Sequence, residues 1–220
     1  RAASAASYRV FNSDGSEVEQ CGNGLRCVAS ILADEANNDR LQLDSPAGVV
    51  EARLLGDGQV AVNMGAPVFT PRDIPFTASK LSPTYELDVA GKQYRVAAVS
   101  IGNPHCVVDV DDVTTAPVGL LGPLIERHPR FPDGVNVGFR RVLSRQEIDL
   151  RVFERGAGET LACGTGACAA MVTARAADRV GESVAVNLPG GRLMVSWRRP
   201  YDAVWLAGDV ELVDEGTLEL

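Results

Sequence analysis

A Cys-Gly-x-Gly motif occurs twice in this chain, and the constant spacing around it limits what the chain can fold into. The two copies begin at Cys21 and Cys163, so the spacing is 163 − 21 = 142 residues. The same offset aligns Arg-Val-Phe at 9–11 with Arg-Val-Phe at 151–153, and Glu17 with Glu159, without a gap. We interpret this register as an internal duplication. Each half is expected to contain a strand, a polar turn and a helix that begins at a cysteine.

Each copy places a thiol where a helix is predicted to begin. The first backbone amides of a helix have no intrahelical partners and the helix dipole is positive there, so the position binds anions such as a carboxylate. The same position lowers the pKa of a thiol. Two such thiols suit a cleft in which one thiolate removes a proton from a carbon atom and the other thiol returns one to the opposite face. The helix amides would stabilise the negative charge that develops on this carbon and its carboxylate.

The composition is that of an ordinary globular protein, and it argues against several classes of function. The 220 residues suffice for one large domain or two small ones, and the duplication favours two. The net charge of −8 argues against nucleic acid or an anionic membrane as a partner. The sequence shows no apolar run of spanning length and no secretory signal. Its five cysteines lack the spacing of a disulfide scaffold, so we expect a reducing compartment, the cytoplasm.

Neither a metal nor an organic cofactor is expected. The sequence has two histidines, His105 and His128, which argues against a His-rich metal site. It has no P-loop, no dinucleotide-binding fingerprint and no clear lysine for pyridoxal phosphate. Because the two predicted helix starts favour a carboxylate, the expected partner is a small amino-acid substrate.

Turn-forming and apolar segments divide the chain into two predicted halves. The N-terminal half covers 1–65 and the C-terminal half covers 66–208, with a proline-rich crossover at the boundary. The last segment, 209–220, alternates polar and apolar residues and is expected to join the N-terminal half as a strand. The predicted class is α/β, of the α+β type. Helices are predicted at 24–36, at 115–128, and from Cys163 to near Gly181.

Four segments of the sequence resemble the diaminopimelate epimerase family. The first signature combines Asn-x-Asp-Gly-Ser at 12–16 with Cys-Gly-Asn-Gly-x-Arg-Cys at 21–27. The middle motifs are Gly-Asn-Pro-His at 102–105 and Val-Asn-x-Gly-Phe at 135–139. The segment 154–168, Glu-Arg-Gly-Ala-Gly-Glu-Thr-x-Ala-Cys-Gly-Thr-Gly-Ala-Cys, is similar to the second signature almost without departure. Two long motifs in the right order are highly specific.

The resemblance implies two similar α/β halves, each a mixed β-sheet wrapped around a central helix, with the active site in the cleft between them. It implies an isomerase that interconverts LL- and meso-2,6-diaminopimelate without a cofactor, in the synthesis of lysine and of a peptidoglycan precursor. By match, Cys21 and Cys163 are the catalytic pair, and His105 supports them. The residues implied to bind substrate are Asn12, Gly22, Asn23, Asn103, Asn136, Glu154, Arg155, Gly164 and Thr165. A homodimer is compatible with this sequence.

Family members carry a further N-terminal segment with a Gly-rich motif and another substrate asparagine. Nothing in this sequence matches that segment. The first half is therefore expected to lack its first strands.

Other functions stay open at this point. One is a different racemase or isomerase on the same fold, such as a proline-racemase-like enzyme. Another is a cysteine hydrolase with His105 as its base, and a third is a redox sensor that links Cys21 to Cys163. Several residues also have plain structural interpretations. Cys27, Cys106 and Cys168 are predicted to pack in the core, Arg26 to form an ion pair at the helix surface or at a domain contact, and Glu159 to stabilise a turn.

Overall fold

The computed structural model describes residues 6–11, 15, 17–18, 21–45, 48–56, 58–198 and 200–213. Within these ranges the chain forms three α-helices, α1 (Gly22–Ala36), α2 (Val118–Glu126) and α3 (Gly164–Ala176). The strands, in chain order, are β1 (Ala6–Ser7), β2 (Val10–Phe11), β3 (Glu17–Val18), β4 (Arg40–Ser45), β5 (Gly48–Leu54), β6 (Gln59–Asn63), β7 (Tyr85–Val89), β8 (Lys92–Ser100), β9 (Pro104–Asp109), β10 (Asn136–Ser144), β11 (Glu147–Glu154), β12 (Gly158–Thr160), β13 (Ser183–Leu188), β14 (Gly191–Ser196) and β15 (Trp205–Asp209).

Thirteen of the strands in the described ranges form one mixed sheet. Its order is β1-β4-β5-β6-β15-β14-β13-β11-β10-β9-β8-β7, with β12 attached to β11, while β2 and β3 form a separate hairpin. The pairs β1–β4, β9–β10 and β11–β13 are parallel, and the others are antiparallel. The expected α/β class is confirmed, and the strands expected in two separate mixed sheets belong to one continuous sheet.

The internal duplication is visible in the strand pairing. The hairpin β2–β3 pairs Val10 with Val18, and β11–β12 pairs Val152 with Thr160, which are the same two positions shifted by 142. The strand order β1-β4-β5-β6 is repeated as β11-β13-β14-β15 with the same sequence of parallel and antiparallel pairs. The last strands of the two copies, β6 and β15, pair antiparallel with each other. A local two-fold axis therefore passes between them and relates the two copies.

The helix α3 lies at the centre of the fold. Its residues from 164 to 174 are all buried, and most of them are small. A helix that is apolar on every side is buried on every side, and small side chains let the surrounding strands approach it closely. By contrast, α1 is amphipathic: Leu25, Ala29 and Ala33 are buried, while Ile31 is 53% exposed. The two copies thus place a similar helix in unequal surroundings.

Several predicted boundaries shift in the structure. Helix α1 begins at Gly22, two residues before the prediction, because the cysteine that precedes it is the N-cap. Helix α2 is shorter than predicted, since Pro117 is its N-cap and Arg127 its C-cap. Helix α3 ends at Ala176 rather than near Gly181, because Asp178, two residues after Ala176, adopts a left-handed conformation with φ of 54°. The division at residues 65 and 66 stays a prediction, and the predicted final strand falls mainly outside the described residues, at 214–220.

Two glycines of α2 offer a matched test of its packing. A Cβ atom at Gly122 would collide with the Phe153 ring, whereas a Cβ at Gly119 would meet nothing within 4 Å. We expect Gly122→Ala to lower the free energy of unfolding by ~1–3 kcal/mol, because overpacking displaces the helix from β11. Gly119→Ala should be neutral or stabilising by less than ~1 kcal/mol. Urea unfolding midpoints measure both, and equal midpoints would contradict the packing described.

Candidate active site

Both cysteines of the repeated motif are helix N-caps with nearly the same backbone conformation. Cys21 has φ −131° and ψ 95°, and Cys163 has φ −135° and ψ 109°. The second glycine of each motif makes room for the sulfur: a Cβ at Gly24 would lie 3.3 Å from Cys21 Sγ, and a Cβ at Gly166 would lie 3.2 Å from Cys163 Sγ. The Gly24 amide donates a hydrogen bond to Cys21 Sγ at 3.4 Å. Each sulfur therefore lies over the first turn of its own helix.

The first glycine of each motif lets the two helix starts meet. A Cβ at Gly164 would lie 3.7 Å from Gly22 Cα, so the N-termini of α1 and α3 are in contact. One side chain packs against both: Leu206 Cδ2 would be 2.8 Å from a Cβ at Gly22 and 2.9 Å from a Cβ at Gly164. The unpaired amides of both helices are thus brought to one place, which favours the binding of an anion there.

The surroundings of Cys163 contain a carboxylate in addition to the amides of the helix start. Cys163 Sγ donates to Glu154 Oε2 at 3.1 Å, and Thr160 Oγ1 donates to Glu154 Oε1 at 2.5 Å. Burial, and then the negative charge of Glu154, raise the pKa of Cys163 to about 12. The prediction of a lowered pKa is therefore wrong for Cys163, because desolvation and a carboxylate outweigh the helix amides. In the resting site Cys163 is a protonated thiol.

A chain of polar groups connects Cys163 to His105. His105 is fully buried, and its Nε2 lies 2.9 Å from Asn103 Oδ1. Asn103 Nδ2 donates to Thr165 Oγ1 at 3.4 Å, and Thr165 Oγ1 lies 3.6 Å from Cys163 Sγ. Burial, with the charge of Arg155, lowers the pKa of His105 to about 3, so the imidazole is neutral. Because His105 reaches Cys163 only through two other residues in the described contacts, the hydrolase interpretation gains no support from geometry.

Asn136 ties two strands to the loop that precedes the second motif. Its Nδ2 donates to the Pro104 carbonyl at 3.0 Å, and its Oδ1 accepts the Arg155 amide at 3.0 Å. The Arg155 guanidinium donates to the Asp133 carbonyl at 2.9 Å. The structure thus brings together the predicted residues of the second half and places the first-half motif at their edge. The residues so gathered are Cys21, Gly22, Asn23, Asn103, His105, Asn136, Glu154, Arg155, Cys163, Gly164 and Thr165, whereas Asn12 lies outside the described residues.

Glu126 is a site-supporting residue that the sequence analysis missed. It is buried, and its Oε1 accepts the Gly156 amide at 2.7 Å, which holds the loop after Glu154 in place. A signal for it exists in the sequence. Glu126 follows Gly122 by one helical turn, on the side of α2 that carries Leu121 and Ile125, and a carboxylate on an apolar helix face requires a partner.

Some structural interpretations are confirmed and others are wrong. Cys106 and Cys168 are fully buried, and burial raises the pKa of both. Glu159 has a structural role, but it forms a 2.6 Å ion pair with Arg151 on the neighbouring strand β11 rather than a contact within the turn. Cys27, predicted to be in the core, is exposed. Arg26 was predicted to form an ion pair at the surface or at a domain contact. It is instead 7% exposed and makes no ion pair within the described part of the chain.

His105 predicts a loss of stability in acid. Its pKa in the folded protein, about 3, is below the ordinary value of 6.5, so between these values the unfolded chain binds the proton and the folded chain does not. Its contribution to the free energy of unfolding is therefore complete above pH 6.5 and is lost as the pH falls toward 3, by up to ~1.4 kcal/mol per pH unit. We expect His105→Gln to flatten this part of the stability profile. His128→Gln is the matched control, and identical profiles for the two variants would contradict the assignment.

Comparison with known proteins identifies the family. The family model described as diaminopimelate epimerase matches residues 2–70 and 97–213. The chain belongs to the diaminopimelate epimerase family. A protein named diaminopimelate epimerase from Pseudomonas entomophila is 52% identical over 215 residues, which cover 97% of this chain and 78% of that protein. A second, from Thioalkalivibrio sulfidiphilus, is 51% identical with the same coverage of both chains.

Solved structures of other proteins share the fold of this diaminopimelate epimerase family member. A phenazine biosynthesis protein of the PhzF family from Enterococcus faecalis superimposes with a TM-score of 0.68 at 17% identity, over 97% of this chain and 78% of that one. A hydroxyproline epimerase from Agrobacterium vitis gives 0.64 at 19% identity, over 92% and 67%. At these identities the likeness concerns the fold alone. In the described part of the chain, no helix has the length and hydropathy needed to span a membrane.

Proposed function

We propose that this chain is a diaminopimelate epimerase that inverts one α-carbon by a two-base mechanism. One observation carries the proposal. The local two-fold axis between β6 and β15 relates the two copies, and with them the Cys21 and Cys163 N-caps on the abutting helices. Thiols related by such an axis approach a bound carbon from opposite sides, which is the arrangement that inversion requires.

The unequal surroundings of the two sulfurs support different roles for them in the resting site. Cys163 is protonated, donates a hydrogen bond to Glu154, and is the acid. Cys21, whose sulfur accepts the Gly24 amide, is the base that removes the α-proton. Cys163 then delivers its proton to the opposite face of the carbon, and the roles are reversed for the other epimer. The negative charge passes from one sulfur through the carbon to the other, so the number of protons on the site is unchanged.

The polar residues are proposed to hold the two ends of the substrate. The amides of Gly22, Asn23, Gly164 and Thr165 face the carboxylate at the reacting carbon, where they also stabilise the charge of the transition state. Asn12, Asn103 and Asn136 contribute further polar contacts. Glu154 and Arg155 are proposed to hold the distal amino-acid head, since a guanidinium binds a carboxylate through two parallel hydrogen bonds. His105, neutral and buried, supports Asn103.

The remaining elements of the proposal concern the setting of the reaction. The chemistry proposed needs no cofactor, because both proton transfers are made by side chains. The activity belongs to the biosynthesis of lysine and of a peptidoglycan precursor. We place the enzyme in the cytoplasm, with a small amino acid as its partner and a homodimer as its assembly.

Solvent deuterium uptake tests the function directly. Incubation with LL-diaminopimelate in D₂O should yield meso product with one deuterium at the inverted carbon, because the returning proton comes from a thiol that has exchanged with solvent. Mass spectrometry combined with separation of the stereoisomers measures both events. The proposal fails if the chain exchanges no α-hydrogen of diaminopimelate, or if proline takes up deuterium in its place.

A further inference from the structure

Arg26 lies where a charged side chain is unfavourable. It belongs to the first turns of α1, where a cation opposes the helix dipole, and it is only 7% exposed. Within the described residues no carboxylate lies within 4.0 Å of its guanidinium, and Nε and Nη1 have no hydrogen-bond partner. A buried, incompletely paired charge is expensive and is kept at functional sites more often than elsewhere. The placement of Arg26 therefore calls for a role.

The fold builds a slot for this guanidinium. Gly208, on β15, provides it: a Cβ atom there would overlap Arg26 Nη1. At the other end of the slot, Arg26 Nη2 donates to Asn23 Oδ1 at 3.2 Å. Burial lowers the pKa of Arg26 from its ordinary value, while the charges of Cys27, Asp209 and Cys21 act in the opposite direction. Arginine remains protonated in proteins, so the slot holds a cation.

Asn23 carries the effect of Arg26 to the reacting end of the site. Its Oδ1 lies 3.3 Å from the position of a Cβ at Gly164, so the Asn23 side chain spans from α1 to the first residue of α3. The backbone amide of Asn23 is one of those proposed to face the substrate carboxylate. Fixing its side chain therefore fixes the alignment of the two helix starts to each other.

We propose that Arg26 is a positioning residue that anchors Asn23 across the junction of α1 and α3 and adds a fixed positive charge behind the two helix starts. This inference rests on the proposed function, since the charge matters for the carboxylate and for the negative charge that develops on its α-carbon. It predicts that the loss of Arg26 acts through Asn23 and through charge, rather than through packing alone.

Chemical rescue separates charge from shape. Arg26→Ala should lower kcat/KM for diaminopimelate by about 10- to 100-fold, the range for a hydrogen bond to a charged group. Added guanidinium ion at millimolar concentration should restore activity, entering through the adjoining cavity of about 250 Å³, which Arg26 lines with Asn23 and Arg192. Urea, similar in shape but neutral, should not. Arg192→Ala is the matched control, with wild-type kinetics. Equal rescue by urea, or none by guanidinium in a folded variant, overturns the proposal.

A double-mutant cycle tests the connection to Asn23. If Arg26 acts through Asn23, the double variant Arg26→Ala/Asn23→Ala should have a kcat/KM no lower than that of the more damaging single variant. Losses of kcat/KM that add up in the double variant overturn the proposal. If Arg26→Ala fails to fold, Gly208→Ala is the alternative test, because its Cβ would overlap Arg26 Nη1 and displace the guanidinium. Wild-type kinetics of Gly208→Ala would then overturn the proposal. A wild-type chain without epimerase activity would refute the proposed function. An active wild type with unaffected Arg26→Ala would refute only this inference.

Discussion

Replacing either Cys21 or Cys163 by serine is expected to abolish epimerisation in both directions. A serine hydroxyl is a far weaker acid than a thiol, so at neutral pH it is not available as the unprotonated base that takes the α-proton, nor does it release a proton readily to the carbanion. One positioned acid–base group contributes ~10²–10⁴ in rate, and each turnover uses both. The rate of stereoisomer conversion, followed separately from the LL and the meso side, measures the effect.

The exposed cysteine of α1 supplies the control for this experiment. Cys27→Ser lies on the same helix as Cys21 but is exposed, so it should leave both rates unchanged. Circular dichroism shows whether each variant keeps its fold. A single serine variant with near-native turnover in both directions would remove the two-base mechanism.

Mild peroxide should link Cys21 to Cys163 in the unliganded protein and eliminate activity. With substrate present, each sulfur stands ~3–3.5 Å from the same carbon, so the sulfurs are held roughly 6–7 Å apart. Without substrate, closure of the cleft can bring them to the bonding distance of ~2.05 Å. Peroxide oxidises the Cys21 sulfur to a sulfenic acid, and the Cys163 sulfur then attacks it. Glu154 takes the thiol proton and passes it to the departing hydroxyl of the sulfenic acid, which leaves as water. Because the pKa of Cys163 is about 12, the second step should accelerate as the pH rises.

Peptide mapping of the oxidised protein identifies the bond. Reductant should restore activity, and bound substrate should protect against its loss. Cys27→Ser should still form the link, which shows that the neighbouring cysteine is not involved. Pairing of Cys21 with Cys27, or of Cys163 with Cys168, would mean that the two thiols do not share one site.

The repeated register made much of the architecture predictable. A constant offset of 142 residues specified two strand-turn-helix copies, and the pairing of Val10 with Val18 and of Val152 with Thr160 reproduces it. The Cys-Gly-x-Gly motif also predicted both thiols at helix starts. The cysteine is the N-cap, and the two glycines allow close contact with the sulfur and with the other helix. Short-range patterns such as these depend on neighbours along the chain, which a sequence displays.

Effects that depend on burial were not predictable in the same way. The raised pKa of Cys163 comes from desolvation at the buried start of α3 and from Glu154, nine residues away along the chain. The burial of Arg26 was missed although the repeat contains a signal for it. The offset maps Arg26 onto Cys168, since 168 − 142 = 26, and Cys168 was already assigned to the core. A charged residue that aligns with a core residue of the other copy indicates a position at which the two halves have different functions.

The same offset reveals one cause of the difference between the two thiols. Glu154, the partner of Cys163, corresponds to Asn12 in the first copy, since 154 − 142 = 12. One copy therefore supplies a carboxylate at this position and the other a neutral amide. This difference in charge adds to the difference in burial, since Cys163 is buried and Cys21 is only partly buried. Together they suit a two-base epimerase, which starts each turnover with one protonated and one unprotonated sulfur.

Leu206 has a consequence for how such a duplicated protein can evolve. It belongs to one copy, yet it packs against the first glycine of both motifs. Two modules that arise by gene duplication ordinarily drift apart as independent paralogous units. Here any substitution at position 206 alters the packing at both helix starts at once. A compensating change in one copy therefore has to preserve the packing of the other. Selection therefore acts on the pair as one inherited character, and recombination that exchanged a single half between relatives would be tolerated only where this contact is matched.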